Sequence, residues 1–377
     1  MIYAILSFVL YPFIWSASRL VSRRKGFSVL VFQTAKIGDM VCATTVFREI
    51  KREFPDCRLG VVATATTAPL IRNNPRVDEI IVLKETWGFF GKLRAAYMIA
   101  GKRYSAALIL SPSAANILIA LWALIPKRIA VYPDFIGRTL KELLNLNTNV
   151  EYHLSGQTSA QTCLKALRHI GVANFIETRE LFESSLARDK YALFLKGETR
   201  PRVGIVLSTG NAMKDWGREN FLALARRIID ETGAVICLFG MEKERSAAIE
   251  LINTINGRAR VENLCGALTL EELPSVIRKL SLVIGVDTGL VYMADALGVP
   301  VIDIAGPCDM RDQRPIGHES RIVQRNDLEC IPCSHTFKTP YECRFFDARC
   351  VTGISVDDVM KRALNTVTVN RDRERTR

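Results

Sequence analysis

Three short loops carry residue types that could do chemistry. The first is Thr34-Ala35-Lys36-Ile37-Gly38-Asp39, directly after an apolar run, and it sets Asp39 where a helix should begin. A carboxylate there can take a proton from an attacking hydroxyl, or simply cap the helix. The second runs from Ser208 to Trp216 and offers small donors such as Thr209, a glycine, and Lys214. An ammonium at that point can neutralise a departing diphosphate, or it can be a solvated surface lysine. Trp216 suits packing against the next helix better than stacking on a ligand. The third is Asp287-Thr288-Gly289, between an apolar strand-like run and a helical one. Where a chain leaves a strand and enters a helix it presents unpaired N–H groups and a positive dipole end, a site for phosphate. Asp287 or Thr288 could equally be an N-cap.

The elements that must position these loops are legible as pattern. Short β-branched runs fall at 28–32, 58–63, 79–83, 106–110 and 129–132, and again at 202–207, 234–239, 261–264, 282–286 and 301–304. Helical periods fill the gaps, among them 39–54, 219–232, 243–255 and 270–280, the last introduced by Thr269 and Glu272 at capping-box spacing. Alternating β and α segments predict parallel sheets with helices on both faces. Two such series predict two Rossmann-like domains, with ligand held beyond the carboxyl ends of the strands in the cleft between them. The expected division is 1–25 as an anchor helix, 26–195 and 196–357 as the two α/β domains, and 358–377 as a helix with a charged tail, disordered from Asn370.

Composition narrows the partners. The chain has 377 residues, is 49% hydrophobic and carries a net charge of +12, which favours anionic ligands or an acidic surface. No nucleic-acid signature accompanies that charge. No GxGxxG or Walker lysine follows the first strand, which weakens dinucleotide and P-loop readings. Met1 to Ser18 is uncharged and is followed by Arg19, Arg23, Arg24 and Lys25. As a helix it would span about 27 Å. The expectation is an uncleaved membrane anchor, interfacial or barely spanning, with its basic cluster on the cytoplasmic side; the alternative is a helix packed on the folded domain. Six of the ten cysteines lie in apolar segments and read as reduced, buried thiols. The other four, Cys330, Cys333, Cys343 and Cys350, have the spacing C-x2-C-x9-C-x6-C, which could hold a structural zinc ion; disulfides or free thiols are the alternatives.

Taken in order, several motifs resemble glycosyltransferase family 9, the ADP-heptose:lipopolysaccharide heptosyltransferases and their relatives. They are Ile37-Gly38-Asp39, Thr44-Thr45-Val46, Phe54-Pro55, the run from Arg72 to Ile80, Lys214-Asp215-Trp216, Phe239-Gly240 with Glu244-Arg245, Asp287-Thr288-Gly289, and the run from Ala296 to Pro300. The resemblance implies a GT-B architecture and an inverting transfer of a sugar, heptose from ADP-heptose, to a hydroxyl of a lipid-linked saccharide such as lipopolysaccharide core. It further implies Asp39 as catalytic base and Lys214 beside the donor phosphates. Thr209 lies in that same loop, Glu244 falls near the ribose, and Asp287, Thr288 and Gly289 form the phosphate and sugar loop. It places the protein at the cytoplasmic face of a bacterial inner membrane. Nothing resembles the Asp-x-Asp metal site of the other large glycosyltransferase fold, so no obligatory divalent ion is expected in catalysis. Two segments depart from the pattern. Relatives commonly carry His where this chain has Tyr292, and the segment from Ser111 to Ala115 lacks the polar pair many of them show. Tyr292 motivates a second reading, a catalytically inactive GT-B-like binding module in envelope glycan assembly.

Overall fold

The computed structural model describes residues 2–20, 26–84, 88–133, 137–154, 156–207, 209–255, 260–317 and 320–375. The chain divides into two compact units, Met1–Glu180 and Leu181–Arg377.

The first unit is built on a six-stranded sheet: β1 (Ser28–Phe32), β2 (Arg58–Thr64), β3 (Glu79–Leu83), β4 (Ala106–Ile109), β5 (Lys127–Tyr132) and β6 (Asn149–Tyr152). Every pairing is parallel and the order is β3-β2-β1-β4-β5-β6. The central strands are apolar without alternation because helices cover both faces; all five residues of β1 are buried. The strand order reverses between β1 and β4, where crossovers to opposite sides open a crevice at the strands' carboxyl ends.

The second unit repeats this plan. Its strands are β7 (Arg202–Val206), β8 (Val235–Phe239), β9 (Val261–Asn263), β10 (Leu282–Val286), β11 (Val301–Ile304) and β12 (Arg321–Val323), in the order β12-β11-β10-β7-β8-β9 and all parallel. Counted from its own first strand this is the same winding, with the reversal between β7 and β10. The glycine in β10 is required by packing: a Cβ on Gly285 would lie 2.9 Å from the Val206 Cβ on the neighbouring strand. Trp216 is fully buried, edge-on to Phe221 at 5.0 Å, with its indole N–H on the Ile354 carbonyl at 2.8 Å, and is a packing residue as its context predicts.

The structure differs from the sequence reading in four places. β6 and β12 are edge strands of four and three residues, too short to show a pattern. The helix expected over 270–280 is confined to Leu273–Ile277. Thr269 still donates its N–H to Glu272 at 2.9 Å, but this closes a turn, and Pro274 is accommodated as the second residue of the helix because its missing N–H is not needed in the first turn. The segment 152–200, whose polar sequence predicts mostly helix, holds among its described residues only Ser159–Ala166, a short 3-10 turn and Ser185–Lys190. The last helix runs from Val356 to Arg375, where the charge run had suggested disorder.

The N-terminal apolar stretch forms a helix, Ile2–Leu20, with Pro12 inside it. It packs on helix Ala114–Trp122: Ile14 joins the apolar cluster that includes Ile117 and Leu121, and the Trp122 indole donates to the Ser7 hydroxyl at 2.9 Å. Among the described residues no helix is long and apolar enough to cross a membrane. Arg23, Arg24 and Lys25 lie outside the described residues.

Candidate active site

In the second unit the parallel order β11-β10-β7 lines up the three loops that follow these strands. Lys214 comes after β7, Asp287 after β10 and Cys308 after β11, so all three stand at the same edge of the sheet and meet. The Lys214 ammonium pairs with Asp287 Oδ2, which also accepts the Cys308 thiol at 2.9 Å. Oδ1 of the same carboxylate accepts the Tyr292 hydroxyl. Asp287 therefore does not cap the helix that follows. Thr288 occupies the N-cap position of Gly289–Ala296 by its backbone, and its hydroxyl makes no capping bond.

The electrostatics follow from this packing. Burial alone would push Asp287 up, but the Lys214 charge and the bonds from Cys308, Lys214 and Tyr292 outweigh it and hold the carboxyl below its ordinary value. Burial would likewise push Lys214 down. Attraction to Asp287 prevails and raises it, so the ammonium stays charged in a nearly closed position. Burial and then the Asp287 charge drive the Cys308 thiol well up, keeping it a neutral donor. One further group is pressed into the same neighbourhood. Asp303, in the middle of β11 and in register with Gly285, is fully buried, and neither carboxylate oxygen has a hydrogen-bond partner among the described residues. Burial, reinforced by Asp287, pushes its carboxyl well above the ordinary range and favours the neutral acid.

Of the other residues of this unit singled out from sequence, Thr209 shares the Lys214 loop after β7 and Glu244 follows β8. Thr209 closes a turn on its own loop, accepting the Asn211 N–H at 3.2 Å. Glu244 accepts the Met241 N–H at 2.8 Å after β8, one strand beyond β7. In the first unit Asp39 stands beside the reversal between β1 and β4. It is the third residue of helix Ile37–Glu53, and its carboxylate accepts the Lys36 N–H at 3.1 Å. The helix that follows β4, Ala114–Trp122, reaches across the same point, where the Asn116 amide donates to the Thr34 hydroxyl at 2.8 Å. Each unit thus carries its chemical residues at the place where its strand order reverses.

The sequence pattern of glycosyltransferase family 9 (heptosyltransferase) matches residues 118–342, more than half of the chain. The chain belongs to glycosyltransferase family 9. Lipopolysaccharide heptosyltransferase 2 of Salmonella typhimurium is 25% identical over 309 residues, covering 78% of this chain and 87% of that one. The structure of Escherichia coli ADP-heptose lipopolysaccharide heptosyltransferase II superposes with a TM-score of 0.72 at 21% identity, covering 91% of this chain and 99% of that one. A family 9 glycosyltransferase from Veillonella parvula superposes with a TM-score of 0.74 at 16% identity, covering 91% and 97%. These likenesses carry the fold, two units each built on a parallel six-stranded sheet, an α/β fold that matches the GT-B-like structures of heptosyltransferases.

Two residues of this family 9 glycosyltransferase that the sequence reading did not single out, Cys308 and Asp303, stand beside Asp287. Cys308 could have been found from its place: Gly306-Pro307-Cys308 ends the strand next to β10. Asp303, a charge-bearing residue inside the apolar run from Val299 to Ile304, was a visible anomaly. All ten cysteines are free thiols. Of the C-x2-C-x9-C-x6-C set, Cys343 accepts the Phe345 N–H at 3.4 Å, and burial would raise this thiol, but backbone N–H groups of 345–348 outweigh it and lower it. The four sulfurs do not come within 4.8 Å of one another as a group; among the described residues Asp309, Asp312 and His335 do. Asp309 is engaged on both oxygens by Arg311.

Proposed function

We propose that this enzyme transfers heptose from ADP-heptose to a hydroxyl of a lipid-linked lipopolysaccharide core sugar, with inversion at the anomeric carbon. The observation that carries the donor half is the partly buried Lys214 ammonium, held charged by Asp287 beside the N-terminus of helix Gly289–Ala296. A departing ADP gains negative charge as the bond from its diphosphate oxygen to the anomeric carbon breaks. An ammonium carries three N–H donors, and a carboxylate partner engages only part of that set. Lys214 and the helix N-terminus would therefore stabilise the charge as it forms. Gly289 lets the backbone approach the donor, with Thr288 supplying a hydroxyl, Thr209 flanking the phosphates and Glu244 on the ribose.

Asp39 is the proposed base. The acceptor oxygen attacks the anomeric carbon from the face opposite ADP, its proton passes to the Asp39 carboxylate, and the electron pair of the broken bond leaves on the diphosphate. The acceptor is lipid-linked, and the proposed location is the cytoplasmic face of the bacterial inner membrane. The Salmonella relative's name supports the lipopolysaccharide acceptor and the Escherichia coli structure's title supports ADP-heptose.

A thermal-shift screen against ADP-, GDP- and UDP-sugars tests the donor, because a ligand that binds only the folded state raises the melting temperature by mass action. ADP-heptose should give the largest shift, and a larger one from a UDP- or GDP-sugar would overturn the assignment. The anomeric configuration of the product, read by NMR, tests inversion. For the four cysteines we propose a structural zinc ion that would draw the sulfurs together. Metal analysis of reduced protein should find about one zinc per chain; chains free of metal would sink it.

A further inference from the structure

Helix Ile2–Leu20 carries apolar residues on both of its sides. Its protein side presents Ser7, Ile14 and Ser18, all buried, with Leu10 and Tyr11 half-buried against the core, while Leu6, Val9, Phe13 and Leu20 face outward at spacings of three, four and seven. Phe13 is 74% exposed and Leu20 85%. A helix on a water-facing surface keeps its outer side polar. The second helix packed on Ala114–Trp122, Phe89–Lys102, also turns an apolar stripe outward. Ala95, Ala96 and Ile99 are buried, and Phe90, Leu93 and Tyr97 form an outward stripe, with Phe90 and Tyr97 each 82% exposed. Neither helix contains an Asp or Glu. Their outward charges are basic: Lys92 and Arg94 are exposed, and the exposed Arg19 lays its guanidinium 3.8 Å from the centre of the Trp15 ring.

We propose that these two helices form one docking face for an anionic bilayer, both lying in the headgroup region. Phe13, Leu20, Phe90 and Tyr97 enter the acyl boundary, and Arg19, Lys92 and Arg94 meet lipid phosphates. The apolar side chains need a partner with an apolar interior, and the all-basic rim selects an acidic surface. A second copy of this chain would bring the same positive charges face to face, which disfavours self-association here. This rests on the lipid-linked acceptor proposed above and extends it from an N-terminal anchor to a surface that includes helix Phe89–Lys102.

The test is co-sedimentation of the full chain with vesicles of phosphatidylcholine alone or mixed with phosphatidylglycerol. The wild type should bind the anionic vesicles and lose binding at high salt. Phe90→Ser with Tyr97→Ser, which leaves Ile2–Leu20 intact, should weaken binding about tenfold. Lys92→Ala with Arg94→Ala should weaken it on anionic vesicles only. Circular dichroism of each variant establishes that it is folded. Wild-type-like binding by a folded Phe90/Tyr97 variant overturns the proposal, as does equal binding to neutral vesicles. A wild-type dimer that the Phe90/Tyr97 variant dissolves, with no vesicle binding, also overturns it. Transfer to a delipidated, water-soluble acceptor should be unchanged in these variants. If the wild type shows no such transfer, the acceptor reading fails while the vesicle result stands.

Discussion

The Tyr292 hydroxyl donates to Asp287, five residues back along the chain. The tyrosine therefore supports the carboxylate that also holds Lys214 and Cys308. Its hydroxyl also reaches the Gln313 carbonyl at 3.3 Å, tying the loop after β11 to the same point. Tyr292→Phe keeps the ring and removes the donor. A hydrogen bond to a charged group is worth about 1.5–3 kcal/mol. With Lys214 and Cys308 still in place, transfer should fall by about tenfold, as kcat more than as KM. Unchanged kinetics would show that Asp287 does not need this bond.

Lys214 and Asp287 are almost closed off from water, so removing one strands the other. Lys214→Ala should abolish transfer and also cost about 3 kcal/mol of stability, the penalty of an unpaired buried charge. Adding Asp287→Asn should restore much of the stability and none of the activity. Urea unfolding of the two single variants and the double variant gives the coupling directly.

Asp39→Asn should lower transfer by about 10²–10⁴-fold, the usual contribution of a positioned base. Binding of ADP, measured by calorimetry, should stay close to wild type. Stability should change little, because an amide oxygen can still accept the Lys36 N–H. Near-normal turnover would remove Asp39 from the mechanism.

Asp303 makes stability depend on pH in a direction of its own. Its folded-state carboxyl is raised, so above the ordinary carboxylate value of about 4 the folded chain binds more protons than the unfolded chain. Its contribution therefore declines as pH rises from there toward the folded value. Asp287 runs the other way: its lowered carboxyl contributes stability above about 4 that is lost on acidification. Asp303→Asn should leave stability near wild type at about pH 4 and become the more stable protein as pH rises. Urea midpoints of both proteins across that range read the difference, and parallel curves would refute it.

Much of the fold could be read from pattern because its causes are local. The runs at 28–32, 79–83, 282–286 and 301–304 are strands at those same residues; at 28–32 and 282–286 a nearly unbroken apolar run bounded by loops has few other ways to be buried. The winding of each unit follows, because parallel neighbours need crossovers and crossovers are right-handed. That put Lys214 and Asp287 at strand ends before any coordinates. The edge strands Asn149–Tyr152 and Arg321–Val323 escaped, since their half-buried residues are held by one neighbour rather than by an apolar run of their own.

What the sequence determined by itself is the class of fold, the loops that carry chemistry and the family. Tertiary structure alone decided who meets whom: that Cys308 and Tyr292 converge on Asp287, that Asp303 is buried beside them with no hydrogen-bond partner among the described residues, and that helix Ile2–Leu20 turns its serines inward. Periodicity reports which side of an element is apolar. It does not report which neighbour the sheet order brings to that side, and a contact across strands far apart in sequence leaves no local mark on either one.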